Sequence, residues 1–177
     1  MGRSRYKIYE PTHPHFITLT VLHWIPLFTN TKSVDILLNC FRYLQQNDNL
    51  KIYSYVILEN HLHLVASSDD LSKTIKKFKS FTAKKILELL KQQNIKTILD
   101  QLAFYKKEHK KSSTYQVWQE GMQPKLIQNE LILKEKIDYI HNNPIKRGYV
   151  DKAKYWRYSS ARDYEGIEGL LKIDKII

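Results

Sequence analysis

The sequence predicts an α+β fold in which helices cover an antiparallel β-sheet. Short runs rich in β-branched and aromatic residues indicate strands, and longer segments with apolar residues at helical spacing indicate helices. The patterns follow one another in the order β, α, β, β, α before further elements, and a sheet of about four or five strands would accommodate them. The chain of 177 residues is long enough to bury one core and shows no repeat or linker. Residues 1–177 are therefore interpreted as a single domain.

The first strand-like run is Phe16–Trp24, in which apolar residues occupy both alternating faces, as in a buried strand. A helix is predicted next, because apolar residues then recur at helical spacing and either Thr31 or Ser33 offers an N-terminal cap. The helix is expected to run to about Asn47, since the Asn-Asp-Asn run at 47–49 favours a helix end.

Two further strand-like runs, Lys51–Leu58 and His61–Ala66, are separated by only two residues. Glu59 and Asn60 between them favour a turn, so the two runs predict a tight hairpin. The second strand of this hairpin begins with the histidine motif described below.

The second half of the chain is predicted to be mostly helical. From Asp69 to about Gln92, apolar residues form one stripe with most lysines outside it, which indicates a basic amphipathic helix. Asn94–Lys111 is ambiguous and is interpreted as a helix followed by a mobile basic segment, and Tyr115–Trp118 could add a short strand. Leu126–Asn142 returns to helical spacing, and Pro144 is expected to stop that helix.

The excess of positive charge predicts a polyanionic partner. The chain carries 29 Lys and Arg against 18 Asp and Glu, a formal net charge of +11, and such an excess attracts nucleic acid first. No membrane partner is expected, since no stretch approaches the roughly 20 apolar residues of a spanning helix. The polar segment 1–10 lacks the apolar core of a secretory signal, which favours a cytoplasmic location. The one cysteine, Cys40, is interpreted as a buried thiol on a helix.

His61 and His63 stand two residues apart on a predicted strand, so their side chains share one face of the sheet. Neutral imidazole is a common ligand for divalent metals, and two such groups can supply adjacent corners of a coordination shell. A His-x-His pair taken alone is more often surface decoration or part of a hydrogen-bonded network. Position 65 is Val65, so the pair is not part of a histidine triad.

Tyr139 and Asn143 lie four residues apart on the last predicted helix, and Lys136 precedes the tyrosine by three residues. The three side chains form one polar ridge that diverges from the apolar stripe of the helix. A tyrosine hydroxyl can act as a nucleophile towards phosphorus when cations offset the charge of the phosphate. Packing by its ring is the alternative role of Tyr139, and it is the commoner one for a tyrosine.

Three segments carry a resemblance to a known family: ENHLHLV, LSKTIKKFKSFTAKKI and KIDYIHNNPIKRGYVDKAKYWRYSSARDY. The chain resembles the single-tyrosine transposases of the HUH nucleases, and among them the IS200-like and REP-associated tyrosine transposases. The likeness extends from about His15 to Tyr164. Its most specific part is the run from Tyr139 to Gly148, followed by Trp156, together with the upstream histidine pair.

The resemblance implies a metal-dependent endonuclease that acts on single-stranded DNA. It implies that His61, His63 and Asn143 bind Mg²⁺ or Mn²⁺ and that Tyr139 is the nucleophile, which leaves a 5′-phosphotyrosine link and a free 3′-OH. Positions 135 and 143 are Glu135 and Asn143, so a second tyrosine one helical turn away is absent. This favours the single-tyrosine class.

The resemblance also implies a ferredoxin-like antiparallel sheet with the histidine pair on a central strand and the tyrosine helix lying over it. The partner expected is single-stranded or hairpin DNA, bound by a monomer or a homodimer. The basic residues that are candidates to hold its phosphates are Lys73, Lys76, Lys77, Lys136, Lys146 and Arg147. Trp118, Tyr149 or Trp156 could stack on unpaired bases, although a core role is favoured for Trp156.

Two other functions remain open from the sequence. A ferredoxin-like sheet with a basic face is also a common design for RNA-binding modules, so the chain could bind nucleic acid without cleaving it, as a domesticated transposase would. It could also be a metal-dependent phosphoesterase that uses water. Neither alternative requires Tyr139.

Overall fold

The computed structural model describes residue 8 and residues 10–175. It has four strands, five α-helices and three short 3₁₀ turns among these residues. The strands are β1 (His15–Thr20), β2 (Lys51–Ile57), β3 (His61–Ser67) and β4 (Lys125–Leu126). The helices are α1 (Thr31–Asn47), α2 (Leu71–Gln92), α3 (Lys96–Phe104), α4 (Glu130–Lys146) and α5 (Ala161–Tyr164). The 3₁₀ turns are Leu22–Trp24, Leu27–Thr29 and Ala153–Tyr155. Most of the N-terminal segment 1–10, which was interpreted above from its polarity, lies outside the described residues.

The four strands form one antiparallel sheet in the order β2-β3-β1-β4. With α1 after β1 and α2 after β3, the chain follows the β-α-β-β-α-β path of the ferredoxin-like fold. The predicted α+β fold and the predicted hairpin are therefore confirmed. No helix within the described residues is long and apolar enough to cross a membrane.

Residues of β3 alternate between two environments. Leu62, Leu64 and Ala66 face the larger core, which α1 and α2 cover with residues such as Phe41 and Phe78. These two phenylalanine rings stack with centroids 4.3 Å apart. Among the described residues, this face holds most of the buried apolar side chains and is the main source of stability.

The opposite face of the sheet is covered by α4. Val56 and Val65 form a smaller apolar cluster there with Leu133 and Ile140 of the helix. His61 and His63 alternate in step with Val65, so they lie on this face as well. The sheet is thus the middle of three layers, and the histidine pair lies between the sheet and α4.

The first strand is shorter than predicted. It ends at Thr20, whereas the sequence pattern continues to Trp24. His23 and Trp24 have φ angles of 52° and 58°, which are left-handed values incompatible with an extended strand. The α1 cap also differs from the prediction, because Asn30 accepts the hydrogen bond from the Lys32 amide.

The predicted strand at Tyr115–Trp118 is wrong. Only an isolated bridge forms there, between Val21 and Trp118, and the fourth strand is Lys125–Leu126. Val117 and Trp118 instead pack into the main core. In so short a run, the sequence pattern does not distinguish a buried loop from a strand. Of the ambiguous segment 94–111, the first part forms α3 and the rest forms turns.

The last predicted helix is also shifted. It begins at Glu130, capped by Asn129, and it runs through Pro144 to Lys146. Pro144 cannot donate the helical hydrogen bond of its own position, but the helix continues for only two residues beyond it. The helix is instead terminated, just beyond the C-cap Arg147, by Gly148, whose φ of 71° allows its amide to reach the Ile145 oxygen at 2.8 Å. The Tyr149 amide reaches the Pro144 oxygen at 2.9 Å, which completes a Schellman motif.

The segment after α4 covers the exposed edge of β2. The Ile57 amide donates to the Tyr158 oxygen, and the Ser160 amide donates to the Tyr55 oxygen. The Ser160 hydroxyl also contacts Nε2 of buried His141, at 2.9 Å. These contacts fix the C-terminal end of α4 against the sheet, which in turn fixes the position of the residues on its other side.

Candidate active site

The histidine pair is buried on the central strand β3. His61 is 3% exposed and His63 is 6% exposed, and their ring centroids are 5.0 Å apart. Thr20 and Thr18 of β1 are their direct cross-strand partners. Both imidazoles therefore sit on a rigid element with strands on either side, which is the arrangement that a site with fixed geometry requires.

Each histidine has its Nδ1 atom engaged in a hydrogen bond. The Asn60 side-chain NH₂ donates to the Trp24 oxygen at 3.1 Å, which turns the Asn60 Oδ1 atom towards His61 Nδ1 at 2.7 Å. An amide oxygen only accepts, so His61 carries its proton on Nδ1 and has a lone pair on Nε2. His63 Nδ1 lies 2.9 Å from the Thr18 hydroxyl. Hydrogen bonds behind imidazole rings of this kind orient metal-binding histidines.

Burial keeps both rings neutral. Together with the positive charge of Arg147, burial lowers the pKa of His61 to about 4, against a smaller opposing effect of Glu59. Burial, followed by the proximity of His61 and Arg147, lowers the pKa of His63 to about 3. Neutral imidazole is the form that binds metal, so neither ring needs to lose a proton at physiological pH.

Tyr139 of α4 lies directly beside the pair. Its ring centroid is 5.3 Å from that of His63 and 5.9 Å from that of Phe16, and both contacts are edge-on. The side chain is 42% exposed, unlike the histidines beneath it. The tyrosine thus combines a packed ring with access to solvent, as a nucleophile acting on a large substrate would need.

Asn143 is buried one turn beyond Tyr139 and is connected to the hairpin through Arg147. Arg147 Nε donates to Asn143 Oδ1 at 3.3 Å, and a terminal nitrogen of Arg147 donates to Glu59 Oε1 at 2.6 Å. The other carboxylate oxygen of Glu59 is buried without a hydrogen-bond partner. Glu59 precedes Asn60 and His61, so this chain of contacts joins the end of α4 to the histidine strand.

The donor set suits a divalent cation that accepts nitrogen and oxygen ligands. Two neutral imidazoles and one buried amide oxygen would leave further positions for phosphate oxygens and water, as Mg²⁺ and Mn²⁺ prefer. Among the described residues, no cluster of three or more His, Cys, Asp or Glu side chains is placed to hold a metal ion. A third protein ligand at His61 and His63 would therefore have to be of another type, such as the amide oxygen of Asn143.

The structure brings only some of the predicted basic residues to this site. Lys146 Nζ lies 5.9 Å from the Tyr139 ring centroid, and Lys136 Nζ lies 5.6 Å from that of Phe16. Arg147 lies one turn beyond Asn143 on the same helix and contacts its side chain. Lys73, Lys76 and Lys77 instead lie on α2, in the layer beyond the opposite face of the sheet. Lys77 is also paired there with Asp48 at 2.8 Å.

The aromatic residues suggested for base stacking have different positions. Trp118 is buried in the main core and donates to the Thr82 hydroxyl, so that suggestion is wrong for Trp118. Trp156 packs against the smaller cluster and donates to the Ile57 oxygen, which confirms its core role. Tyr149 stacks on Trp156 with centroids 5.3 Å apart. Cys40 is buried on α1, and burial raises the pKa of its thiol to about 12.

Five residues of the site were not singled out from the sequence: Phe16, Thr18, Trp24, Glu59 and Asn60. Asn60 could have been found, because an amide directly before a histidine can orient its ring. The sequence pattern indicates Glu59 and Asn60 only as turn residues, and Trp24 only as part of a strand. The pairing of Thr18 with His63 depends on strand register, for which the sequence holds no local signal.

Comparison with known protein families gives one match over most of the chain. Residues 12–143 match the family described as "Transposase IS200 like". The matched region begins just before β1 and ends at Asn143, so it contains the histidine pair, Tyr139 and the whole sheet.

One curated relative and two solved structures are similar to this chain. A Haemophilus influenzae protein assigned to the REP-associated tyrosine transposases is 29% identical over 106 residues, which are 59% of this chain and 54% of that protein. The chain therefore aligns with about half the length of that curated relative. A structure described as a REP-associated tyrosine transposase bound to a REP hairpin superposes with a TM-score of 0.67 at 19% identity. The superposition covers 98% of this chain and 93% of that chain, and it shows that the two share a fold. A crystal structure from Deinococcus radiodurans, assigned to the transposases, gives a TM-score of 0.45 at 16% identity, covering 80% of this chain and 97% of that chain.

Proposed function

We propose that this chain, which belongs to the IS200-like transposase family, cleaves and rejoins single-stranded DNA with Tyr139 as the nucleophile. The observation that carries the proposal is that the accessible ring of Tyr139 lies 5.3 Å from the ring of His63. His63 belongs to a pair of neutral histidines whose Nδ1 atoms both make hydrogen bonds. A core tyrosine would not need solvent access, and a surface tyrosine would not need two oriented imidazoles beneath it.

In the proposed reaction the Tyr139 hydroxyl oxygen attacks the phosphorus of a phosphodiester. The Tyr139 hydroxyl gives up its proton as the new bond forms, the bond from phosphorus to the 3′ oxygen breaks, and that oxygen takes up a proton and leaves as a 3′-OH. The product is a 5′-phosphotyrosine, which keeps the energy of the broken ester. A 3′-OH from another strand can then attack the same phosphorus, displace Tyr139 and complete strand transfer.

His61, His63 and Asn143 are the residues proposed to hold Mg²⁺ or Mn²⁺. Such a cation, when bound, supplies Lewis-acid polarisation of the phosphate and offsets its charge. The chain's own contribution is to orient the two rings through Asn60 and Thr18. Lys136, Lys146 and Arg147 are proposed to attract and position the phosphodiester beside the tyrosine.

Hairpin-bearing single-stranded DNA is the proposed substrate. The net charge of +11 favours a polyanion, and the exposed side of Tyr139 opens onto the surface of the molecule, where an unpaired strand can reach it. The structural neighbour described above is bound to a REP hairpin. The same class of ligand is therefore proposed for this chain, without a particular sequence.

The test is to trap the covalent product. The protein is incubated with hairpin DNAs carrying single-stranded flanks and Mg²⁺ or Mn²⁺, and the mixture is resolved on a denaturing gel. A label at the 3′ end of the DNA should migrate with the protein, whereas a label at the 5′ end should appear in a shorter free fragment. Tyr139→Phe should abolish both bands. Tyr43→Phe makes the same chemical change at an exposed position of α1, in the layer across the sheet, and should leave both bands unchanged.

The outcomes separate the three functions considered from the sequence. Cleavage without a protein-linked band, and surviving in Tyr139→Phe, would indicate a phosphoesterase that uses water. Binding without cleavage on any hairpin would indicate a nucleic-acid-binding module. Either result would contradict the proposed mechanism.

A further inference from the structure

A concavity of about 510 Å³ lies beside the histidine pair, where the chain leaves β1. It is lined by His23, Trp24, Tyr105, Lys107, Gln119 and Glu120, and we call it the Trp24 pocket. Its volume is within the range of about 300–1,000 Å³ that is usual for small organic ligands. Neither the sequence pattern nor the proposed catalytic residues account for it.

The backbone at this pocket is held in an unfavourable conformation. His23 and Trp24 both have positive φ angles although neither is glycine, and such residues cost free energy unless the surroundings enforce them. The surroundings do so here, because the Leu22 amide donates to the Val117 oxygen and the Asn60 side chain donates to the Trp24 oxygen. Strain of this kind concentrates at binding and catalytic sites.

The strained turn presents aromatic surface to solvent. Trp24 is 54% exposed, whereas tryptophan side chains are on average highly buried. The His23 ring stacks on the Tyr105 ring with centroids 3.7 Å apart and an angle of 15° between the planes. Two flat surfaces therefore border the same concavity, and polar groups of Lys107, Gln119 and Glu120 lie at its edge.

The pocket is directly connected to the histidine pair. The Trp24 ring lies edge-on to the His61 ring, with centroids 5.4 Å apart. Asn60 touches both residues, because its side chain donates to the Trp24 oxygen and accepts from His61. A ligand on the exposed side of Trp24 would therefore be separated from a phosphate near His61 only by the Trp24 ring.

We propose that the Trp24 pocket binds one unpaired nucleobase of the DNA strand, next to the phosphodiester that Tyr139 attacks. This inference rests on the proposed function, since it takes single-stranded DNA as the ligand. The base stacks on Trp24 and the polar rim contacts its edge, while Lys107 adds positive charge for an adjoining phosphate. Stacking on an aromatic side chain is how single-strand binders hold unpaired bases.

The test measures binding without metal and without cleavage. Fluorescence anisotropy in EDTA gives the Kd of wild-type protein for a hairpin with single-stranded flanks, and for a series of the same DNA in which one flanking nucleotide at a time is abasic. Wild type should lose affinity by about 10-fold at one position, the size expected for one stacked base. Trp24→Ala should bind the intact DNA about 10-fold more weakly than wild type. Making the same nucleotide abasic should then lower the affinity of Trp24→Ala by less than about twofold.

Three further variants separate stacking from a structural role. Trp24→Phe should keep most of the affinity and the position-specific loss, because it keeps a flat ring. Tyr43→Ala removes an exposed aromatic side chain across the sheet and should bind like wild type. Tyr105→Ala should weaken binding less than Trp24→Ala. Unfolding midpoints measured in parallel show whether each variant is folded. If Trp24→Ala does not fold, the affinities of Tyr105→Ala and Trp24→Phe test the inference instead.

The inference is overturned if Trp24→Ala binds like wild type, if every abasic position weakens both proteins equally, or if wild type does not bind the flank at all. Its failure differs from failure of the proposed function. A protein that forms the Tyr139 adduct without the Trp24-dependent loss retains the nuclease and refutes the pocket. A protein that shows the loss in EDTA but forms no adduct retains the pocket and refutes the nuclease.

Discussion

The two faces of the central strand β3 are both buried but differ in the kind of residues that they bury. On one face, Leu62, Leu64 and Ala66 are sealed beneath α1 and α2 in a continuous apolar core. On the other face, Val65 packs under α4, and His61 and His63 are buried beside Tyr139, whose side chain reaches solvent. One strand thus contributes stability through its even-numbered residues and candidate chemistry through its odd-numbered residues.

The difference shows how a buried polar pair is tolerated beside a core. A buried imidazole without partners costs free energy, so its polar atoms must be hydrogen-bonded or bound to a ligand. Asn60 and Thr18 satisfy the Nδ1 atoms and hold the rings in place. The face with α4 therefore maintains its geometry through specific hydrogen bonds, whereas the other face maintains it through packing.

Replacing Leu64 by alanine should have the largest effect on stability. Leu64 is fully buried on the sealed face, and removing its side chain leaves a cavity among α1, α2 and the sheet. The free energy of unfolding should fall by about 2–5 kcal/mol, measured by urea denaturation at pH 7. The folded fraction should still bind Mn²⁺ as wild type does. A strong loss of metal affinity in the folded protein would mean that the two faces are not independent.

Replacing His63 by alanine should reverse this balance. Mn²⁺ affinity should fall by about 100-fold or more, because even the hydrogen-bonding partners behind a metal ligand are typically worth about 10–100-fold. The free energy of unfolding should fall by less than in Leu64→Ala. Val65→Ala is the matched control, since it lies on the same face two residues further and offers no donor atom. Titration calorimetry measures the affinity, and equal affinities in His63→Ala and Val65→Ala would exclude His63 as a ligand.

Lowering the pH should destabilise the protein through its buried histidines. The pKa values of His61 and His141 are lowered to about 4 and that of His63 to about 3, chiefly by burial, whereas unfolded histidine has a pKa of about 6.5. Between these values the unfolded chain binds more protons than the folded chain. The stability is therefore fully present above about pH 6.5 and is lost as the pH falls towards 4, by at most about 1.4 kcal/mol per pH unit for each histidine.

Urea unfolding at pH values between 7 and 5 measures that slope. The double variant His61→Gln/His63→Gln should show a shallower slope, and the slope that remains should belong largely to His141, which contacts Ser160 on the far side of α4. An unchanged slope in the double variant would show that the pair does not titrate as its burial requires.

The fold was largely predictable because local patterns agree with it. The hairpin at 59–60 and the helix bounds of α1 and α2 were predicted to within a few residues, since strong turn residues and long apolar stripes mark them. The fourth strand was not predictable, because Lys125–Leu126 is only two residues long and is defined by its pairing with β1. The predicted helix end at Pro144 is wrong for a related reason, since the Schellman turn at Gly148 determines where the helix ends.

The candidate site was predictable in its residue types but not in its connections. Spacing brought His61, His63 and Tyr139 into consideration, and the family resemblance gave them roles that stay predictions. The contacts that join them depend on strand register and on helix docking across the sheet, as between Thr18 and His63 or between Arg147 and Glu59. Such contacts bring together residues 45 and 88 positions apart, and no local pattern encodes them.

The smallest predicted effects concern the charges of Arg147 and Glu59 near the histidine pair, and they have opposite signs. Arg147→Gln removes a positive charge near the two histidines and should tighten Mn²⁺ binding, whereas Glu59→Gln removes a negative charge and should weaken it. Each change should be about threefold, since two charges a few ångström apart in water interact by about 1 kcal/mol or less. Stability should change by less than about 1 kcal/mol in both variants, because the ion pair is partly exposed. DNA affinity should fall in Arg147→Gln alone. Changes of the same sign in both variants would mean that the ion pair acts by holding Asn143 in place rather than through its charges.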